Sequence, residues 1–223
     1  MELAELALFV RAPETGAVKT RLHSVLGPDG ASMLYRAFVE DTIALCRRVR
    51  KAGRVTLSLW ADVVDDVEVR RWADALGTAV QEQPPGDLGV RMSRAFDIGL
   101  RRAERVVLVG SDIPTLPLGR IVAAFNELEA ADLVLGPSND GGYYAIGAAN
   151  EVIPRFRGVR WSTSHALEDT ARANEGSAIK MLSPWYDVDA VDDLDALRAH
   201  LSVSPSSAPA TARCLRELLS TQR

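Results

Sequence analysis

Cysteine is scarce in this chain: Cys46 and Cys214 are the only two thiols in 223 residues. They lie far apart, with no Cys-x-x-Cys pair and no metal-ligand spacing, so neither a disulfide scaffold nor a structural zinc site is indicated. Both read as reduced thiols of a cytoplasmic protein. Long apolar runs are also missing. The N-terminal stretch 3–10 is short, follows Glu2 and is interrupted by Glu5, so it reads as a first strand and not as a leader. Nothing reaches the length of a membrane span. There is no surplus of basic residues, since the formal net charge is −4. Nucleic acid and anionic membranes are therefore not expected partners, and any phosphate must be held by a local basic site. No Walker loop and no G-x-S-x-G are present, which removes the P-loop and serine-hydrolase readings.

What remains is ordinary for a soluble domain: 47% hydrophobic and 25% charged residues, with length enough for one large core. Apolar runs at 6–10, 55–60, 106–109 and 133–135 are rich in Val and Leu, as strands covered on both faces are. Between them, residues 31–49, 67–76, 90–100 and 118–128 have helical periodicity. This alternation predicts an α/β fold with a mostly parallel sheet. The rhythm breaks at 136–147, where a second strand from Tyr143 follows too soon for a crossover helix. That strand should be antiparallel to its predecessor or lie outside the main sheet. After a final helix over 191–201, residues 202–212 are almost all Ser, Pro, Ala and Thr, the composition of a mobile linker. Residues 213–219 could form a docked helix or stay loose. The expected organisation is a single domain over 1–201 with a linker and tail helix over 202–223.

Ligands of open α/β sheets gather at the carboxyl ends of the strands, and five segments there carry chemistry. Arg11, Lys19 and Arg21 fall within eleven residues after the first strand, around Gly16, as a phosphate cradle would require. A solvated basic loop has the same composition. Gly86-Asp87-Leu88-Gly89, with Arg91 beyond, suits a flat ring or phosphate lying against backbone, or a turn with Asp87 as helix N-cap. Asp112, in Gly110-Ser111-Asp112-Ile113-Pro114, could coordinate Mg²⁺ or Mn²⁺, or merely bond the amides of its own turn. Asn139, Asp140, Gly141 and Gly142 could receive a hydroxylated acceptor on a hairpin turn. In Asp187-Val188-Asp189, alternation on an extended chain would let only one acid face a given metal, and Asp189 is favoured. Asp189 is equally well placed as an N-cap. Trp161-Ser162-Thr163 could close over a substrate or cap the helix predicted from Ser164.

In order along the chain, these segments resemble a family of small bacterial GT-A-type nucleotide-diphospho-sugar transferases, some of them named for arsenosugar biosynthesis. The family pattern is F-x-K-x-P-x-x-G-x-V-K-T-R-L, G-D-L-G-x-R-M, G-x-D-x-P, G-P-x-x-D-G-G-Y-Y and D-V-D-x-x-x-D-L. It is met at 9–22, 86–92, 110–114, 136–144 and 187–194, with Arg11 replacing the usual Lys. The resemblance implies a Rossmann-like three-layer α/β/α sandwich. It implies Lys19 and Arg21 on phosphates, Arg11, Gly16, Gly86, Leu88, Gly89 and Arg91 around the nucleotide, and Asp112 with Asp189 on Mg²⁺ or Mn²⁺. Asn139, Asp140, Gly141, Gly142 and Trp161 are implied on the acceptor or sugar side, with Lys19, Arg21 and Asp140 as the catalytic set. The expected partner is a nucleotide or nucleotide-sugar. Sugar transferases of this fold usually carry Asp-x-Asp after the central strand, whereas Asp112-Ile113-Pro114 is closer to nucleotidyltransferases. The family's naming nonetheless tips the expectation towards glycosyl transfer, with nucleotidyl transfer as the alternative and a non-catalytic nucleotide-binding module as a third reading.

Overall fold

The structure, a computed structural model, describes residues 4–14 and 16–221. Seven strands form one sheet in the order β3-β2-β1-β4-β6-β5-β7. They are β1 (Ala4–Val10), β2 (Val55–Ala61), β3 (Val80–Glu82), β4 (Arg105–Val109), β5 (Leu133–Pro137), β6 (Tyr143–Ala149) and β7 (Ile179–Met181). The helices are α1 (His23–Ala52), α2 (Val67–Leu76), α3 (Leu88–Gly99), α4 (Leu118–Glu127), α5 (Ala166–Ala173), α6 (Val191–Val203) and α7 (Pro209–Thr221). β6 pairs antiparallel with both β4 and β5; all the other pairings are parallel. The expected three-layer α/β sandwich is thus the observed one. The strand that had no room for a crossover is antiparallel, and it sits inside the sheet.

Side-chain alternation along the strands builds the layers. Leu6, Leu8 and Val10 of β1, with Val107 and Val109 of β4, enter a core shared with α1, α2 and α4. Ala7, Phe9, Val106 and Leu108 point the other way, onto Met92, Ala95 and Phe96 of α3. A third cluster joins the first half of α1 to α6 and α7 through Leu34, Phe38, Leu194, Leu197 and Leu215. α1 is broken near its start, where Gly27 takes φ 66 ahead of Pro28. Gly27's left-handed backbone and the missing amide of Pro28 make that bend.

Composition misleads at the C-terminus. Instead of a mobile linker, residues 202–212 hold the end of α6, a 3-10 turn over Pro205–Ser207 and the first turn of α7. Ala208 and Thr211 are buried, and the carboxylate of Asp41 on α1 accepts hydrogen bonds from Ala210 N at 3.0 Å and Thr211 N at 2.8 Å. Those amides are orphan donors of a helix N-terminus, so Asp41 caps α7 from 169 residues away. No described helix is long and apolar enough to cross a membrane. Both cysteines are free and buried.

Candidate functional site

The strand order changes direction between β1 and β4, and the loops after these two strands flank a cleft of about 680 Å³. This is the switch-point position at which open α/β sheets bind ligands. Because β6 runs against its neighbours, its first residue shares an edge with the last residue of β5. The hairpin 138–142 is thereby delivered to the same cleft.

Tyr35, rising from α1, ties the two central loops together. Its hydroxyl accepts from Arg11 N at 2.8 Å and lies 3.1 Å from Ser111 Oγ. Burial pushes its phenol well above the usual range. The Asp62 carboxylate accepts from Ala12 N at 2.8 Å and pairs with the Arg11 guanidinium at 3.4 Å. On the far side, the Gln83 side-chain amide donates to Val10 O and Trp60 O, and Gln83 Oε1 accepts from Arg91 Nη1 at 3.2 Å. Arg91 Nε also donates to Gly86 O, which braces the Gly86–Gly89 loop. Asp87 caps α3 through Val90 N, as one of its two sequence readings required. No carboxylate of the described residues pairs with Arg21 or Arg91, although both line the cleft.

Lys19 has its own partners. Its Nζ donates to Val188 O at 2.8 Å and to Asp189 Oδ1 at 2.6 Å, and lies 2.5 Å from Asp112 Oδ1. Burial alone would lower its pKa; the two carboxylates more than offset this and hold it above the ordinary value. Val188 N donates to Asp112 O at 2.9 Å, so the segment after β7 is fixed to the turn after β4 by backbone as well. Lys19, Asp112 and Asp189 therefore converge, although Lys19 and Asp189 are 170 residues apart.

Carboxylate oxygens of Asp140, Asp187 and Asp189 lie within 4.8 Å of one another. Desolvation, then the charges of Asp140 and Asp189, push the Asp187 carboxyl up to about 7. Such a group of oxygen donors, short of compensating charge, suits a hard divalent cation such as Mg²⁺ or Mn²⁺. Asp140 is held in its turn by Ser138 Oγ at 2.5 Å and Gly142 N at 2.8 Å, both onto Oδ1.

This arrangement departs from the sequence expectations in identifiable ways. Asp112, expected beside Asp189 on a metal, lies across the Lys19 ammonium from it. Asp187 and Asp189 do face one centre. Residues 182–190 are irregular, so the two-residue alternation of a strand does not apply to them. Asp189 is not the N-cap: Ala190 holds that position before α6, and the Asp193 carboxylate reaches back to accept from the amides of both Asp189 and Ala190. α5 begins at Ala166 without a side-chain cap, and residues 162–164 line the cleft instead. Trp161 packs on Phe156, and a Cβ on Gly89 would strike these two side chains, so Gly89 serves close packing. Gly141 likewise lies against the Ser164 backbone. Gly16 is in the left-handed region with open space around it. Asn139 stays in the hairpin turn, outside the cleft lining. Tyr35 and Gln83 are not site candidates from sequence, and Asp187 is weighed there only to be set aside in favour of Asp189. For Asp187 the signal was there, in a second acid two residues from the favoured one.

The fold is that of nucleotidyltransferases and GT-A-like transferases, with its candidate site at the switch point. The chain belongs to the family described as "Uncharacterized protein conserved in bacteria (DUF2064)", whose model matches residues 44–163. A crystal structure from Desulfovibrio desulfuricans G20, provisionally named a nucleotide-diphospho-sugar transferase, is 34% identical with a TM-score of 0.85. That match covers 97% of this chain and 95% of the other. The 2-phospho-L-lactate guanylyltransferase of Methanothermobacter thermautotrophicus is 26% identical over 190 residues, 82% of this chain and 79% of that protein. A nucleotidyl transferase structure from the same archaeal species has a TM-score of 0.61 at 11% identity, covering 92% of this chain and all of that one; it speaks to fold alone.

Proposed function

We propose that this transferase is a metal-dependent nucleotidyltransferase, which moves a nucleoside monophosphate from a triphosphate to a phosphorylated acceptor. The observation that carries this reading is a group of three carboxylates, Asp140, Asp187 and Asp189, of which Asp140 and Asp189 line the same cleft as Arg21 and Arg91, two guanidinium groups that no carboxylate of the described residues pairs with. An acceptor phosphate oxygen attacks the α-phosphorus, the bond from that phosphorus to the β-bridging oxygen breaks, and pyrophosphate leaves. Arg21, Arg91 and Arg11 offset the charge of the phosphates, and Gly86 and Leu88 edge the base. The acceptor enters between Asp140 and residues 162–164. A Mg²⁺ or Mn²⁺ ion held by Asp140, Asp187 and Asp189 would supply charge stabilisation to the phosphate oxygens. We assign the transferase to residues 1–201, with the chain beyond as an extension docked over its described part, 202–221, and place it in the cytoplasm.

The guanylyltransferase relative favours this chemistry over the glycosyl transfer expected from sequence. Glycosyl transfer from a nucleotide-diphospho-sugar is the second reading, supported by the name of the 34%-identical structure; the arsenosugar assignment rests on the sequence resemblance alone. The test is incubation with each of the four nucleoside triphosphates, Mn²⁺, and a mixture of sugar phosphates and phosphorylated carboxylic acids. Pyrophosphate should appear together with a new nucleotide conjugate. Release of a nucleoside diphosphate from nucleotide-sugars, with no pyrophosphate from any triphosphate, would replace this reading with the second.

A further inference from the structure

The sequence resemblance assigns Lys19 to the nucleotide phosphates, but its surroundings give it a different task. An ammonium has three donors. Two are spent in hydrogen bonds to Val188 O and Asp189 Oδ1, and the third side of the group is occupied by Asp112 Oδ1 at 2.5 Å. That oxygen is sealed from solvent and has no other partner. The Phe38 ring lies 5.6 Å away, and the Lys19 side chain is only 4% exposed. The backbone of Lys19 is in the left-handed region, φ 50, which side chains other than glycine's seldom adopt. Strain of this kind persists only where the surroundings over-determine it, and here three fixed partners at the end of the side chain do so. A lysine free to swing onto a phosphate would be held by none of these.

We propose that Lys19 is a positioning residue, a permanent internal cation that occupies the gap between Asp112 and Asp189. It thereby restricts divalent binding to one ion on the Asp140, Asp187 and Asp189 side. Asp189 is the pivot: its Oδ1 is committed to Lys19, while its carboxylate also belongs to the three-acid group. Lys19 sets the direction of that carboxylate and, being positive beside the ion, loosens divalent binding in the free protein. Contact with the phosphates then falls to Arg21 and Arg91, which line the same cleft and have no carboxylate partner among the described residues. The identity of the ligand rests on the nucleotide-transfer reading; the role of Lys19 towards the divalent ion does not.

The test compares wild type, Lys19→Met and Arg21→Gln by two titrations. Manganese binding to nucleotide-free protein is followed by the loss of the free-ion resonance. Binding of the nucleoside triphosphates is followed by calorimetry in EDTA. The wild type should bind one Mn²⁺ per chain. Lys19→Met should bind it at least tenfold more tightly, and should admit a second ion between Asp112 and Asp189. In EDTA, Lys19→Met should keep nucleotide affinity within twofold, whereas Arg21→Gln should lose about tenfold. If Lys19→Met does not fold, Lys19→Met combined with Asp112→Asn removes both halves of the buried pair and should still tighten the single Mn²⁺. Two ions on the wild type, unchanged or weaker Mn²⁺ binding after loss of the ammonium, or a tenfold loss of nucleotide in Lys19→Met with Arg21→Gln spared would each overturn the proposal. A wild type that binds no nucleotide would instead sink the proposed function, and the manganese titration would still decide the role of Lys19.

Discussion

Asp187→Asn should make the metal-free protein more stable and at the same time remove its response to metal. Desolvation first, and then repulsion from Asp140 and Asp189 within 4.8 Å, push the Asp187 carboxyl up to about 7 from 3.8. A folded-state value above the unfolded one means that the native protein holds a proton the unfolded chain has released. Stability is therefore full below pH 4 and is lost as pH rises to about 7. Three pKa units correspond to about 4 kcal/mol at 1.36 kcal/mol each. Asp187 is partly reached by solvent, so a gain of roughly 1–3 kcal/mol above pH 7.5 is expected for the neutral amide. For a chain of this size that is on the order of 5 °C in Tm. Thermal melts in EDTA at pH 5 and pH 8 read the difference: it should be clear at pH 8 and roughly a third to a half as large at pH 5, where the folded protein still holds the Asp187 proton but the unfolded chain has released it. Adding Mn²⁺ at a hundred times its dissociation constant should raise the wild type by about 2.7 kcal/mol and leave the variant almost unmoved. A variant no more stable than wild type at pH 8, or a gap equally large at pH 5, would refute the argument.

Two further perturbations test the scaffold around the cleft. Gly141→Ala forces a Cβ onto the Ser164 backbone at φ +84, and should cost about 2–4 kcal/mol in urea denaturation through strain and overpacking together. Asp41→Ala leaves two helix amides without their cap and should cost about 1–3 kcal/mol, with faster amide exchange concentrated in α7.

The central strands were legible because their apolar runs are compact and their covering layers demand period-two burial, as at Leu6, Leu8 and Val10 against Ala7 and Phe9. The antiparallel β6 was legible from a connection too short for a helix. β7 was not, because its residues are half-exposed at the sheet edge and carry no apolar run. The start of α7 was hidden for a different reason, although a docked helix over 213–219 was one of two sequence readings: a Pro- and Ala-rich stretch becomes ordered through a cap on Asp41, and so distant a partner leaves no local pattern. Within the cleft, the charged loops could be found from their positions after strands. Their pairings could not, since whether Lys19 faces a phosphate or Asp112 depends on where 187–189 returns. Asp187 escapes the two-residue alternation rule because 182–190 lacks strand geometry.

The route of the chain also sets an order of assembly. Lys19 is translated long before Asp187 and Asp189, two of the three clustered acids, which follow the last described strand. A nascent polypeptide can have every strand translated before Asp187 and Asp189 exist to join Asp140. Ligation competence thus arrives only after the sheet's strands have been made, and a fragment truncated before Asp187 would keep those strands while lacking two of the acids needed to engage an ion.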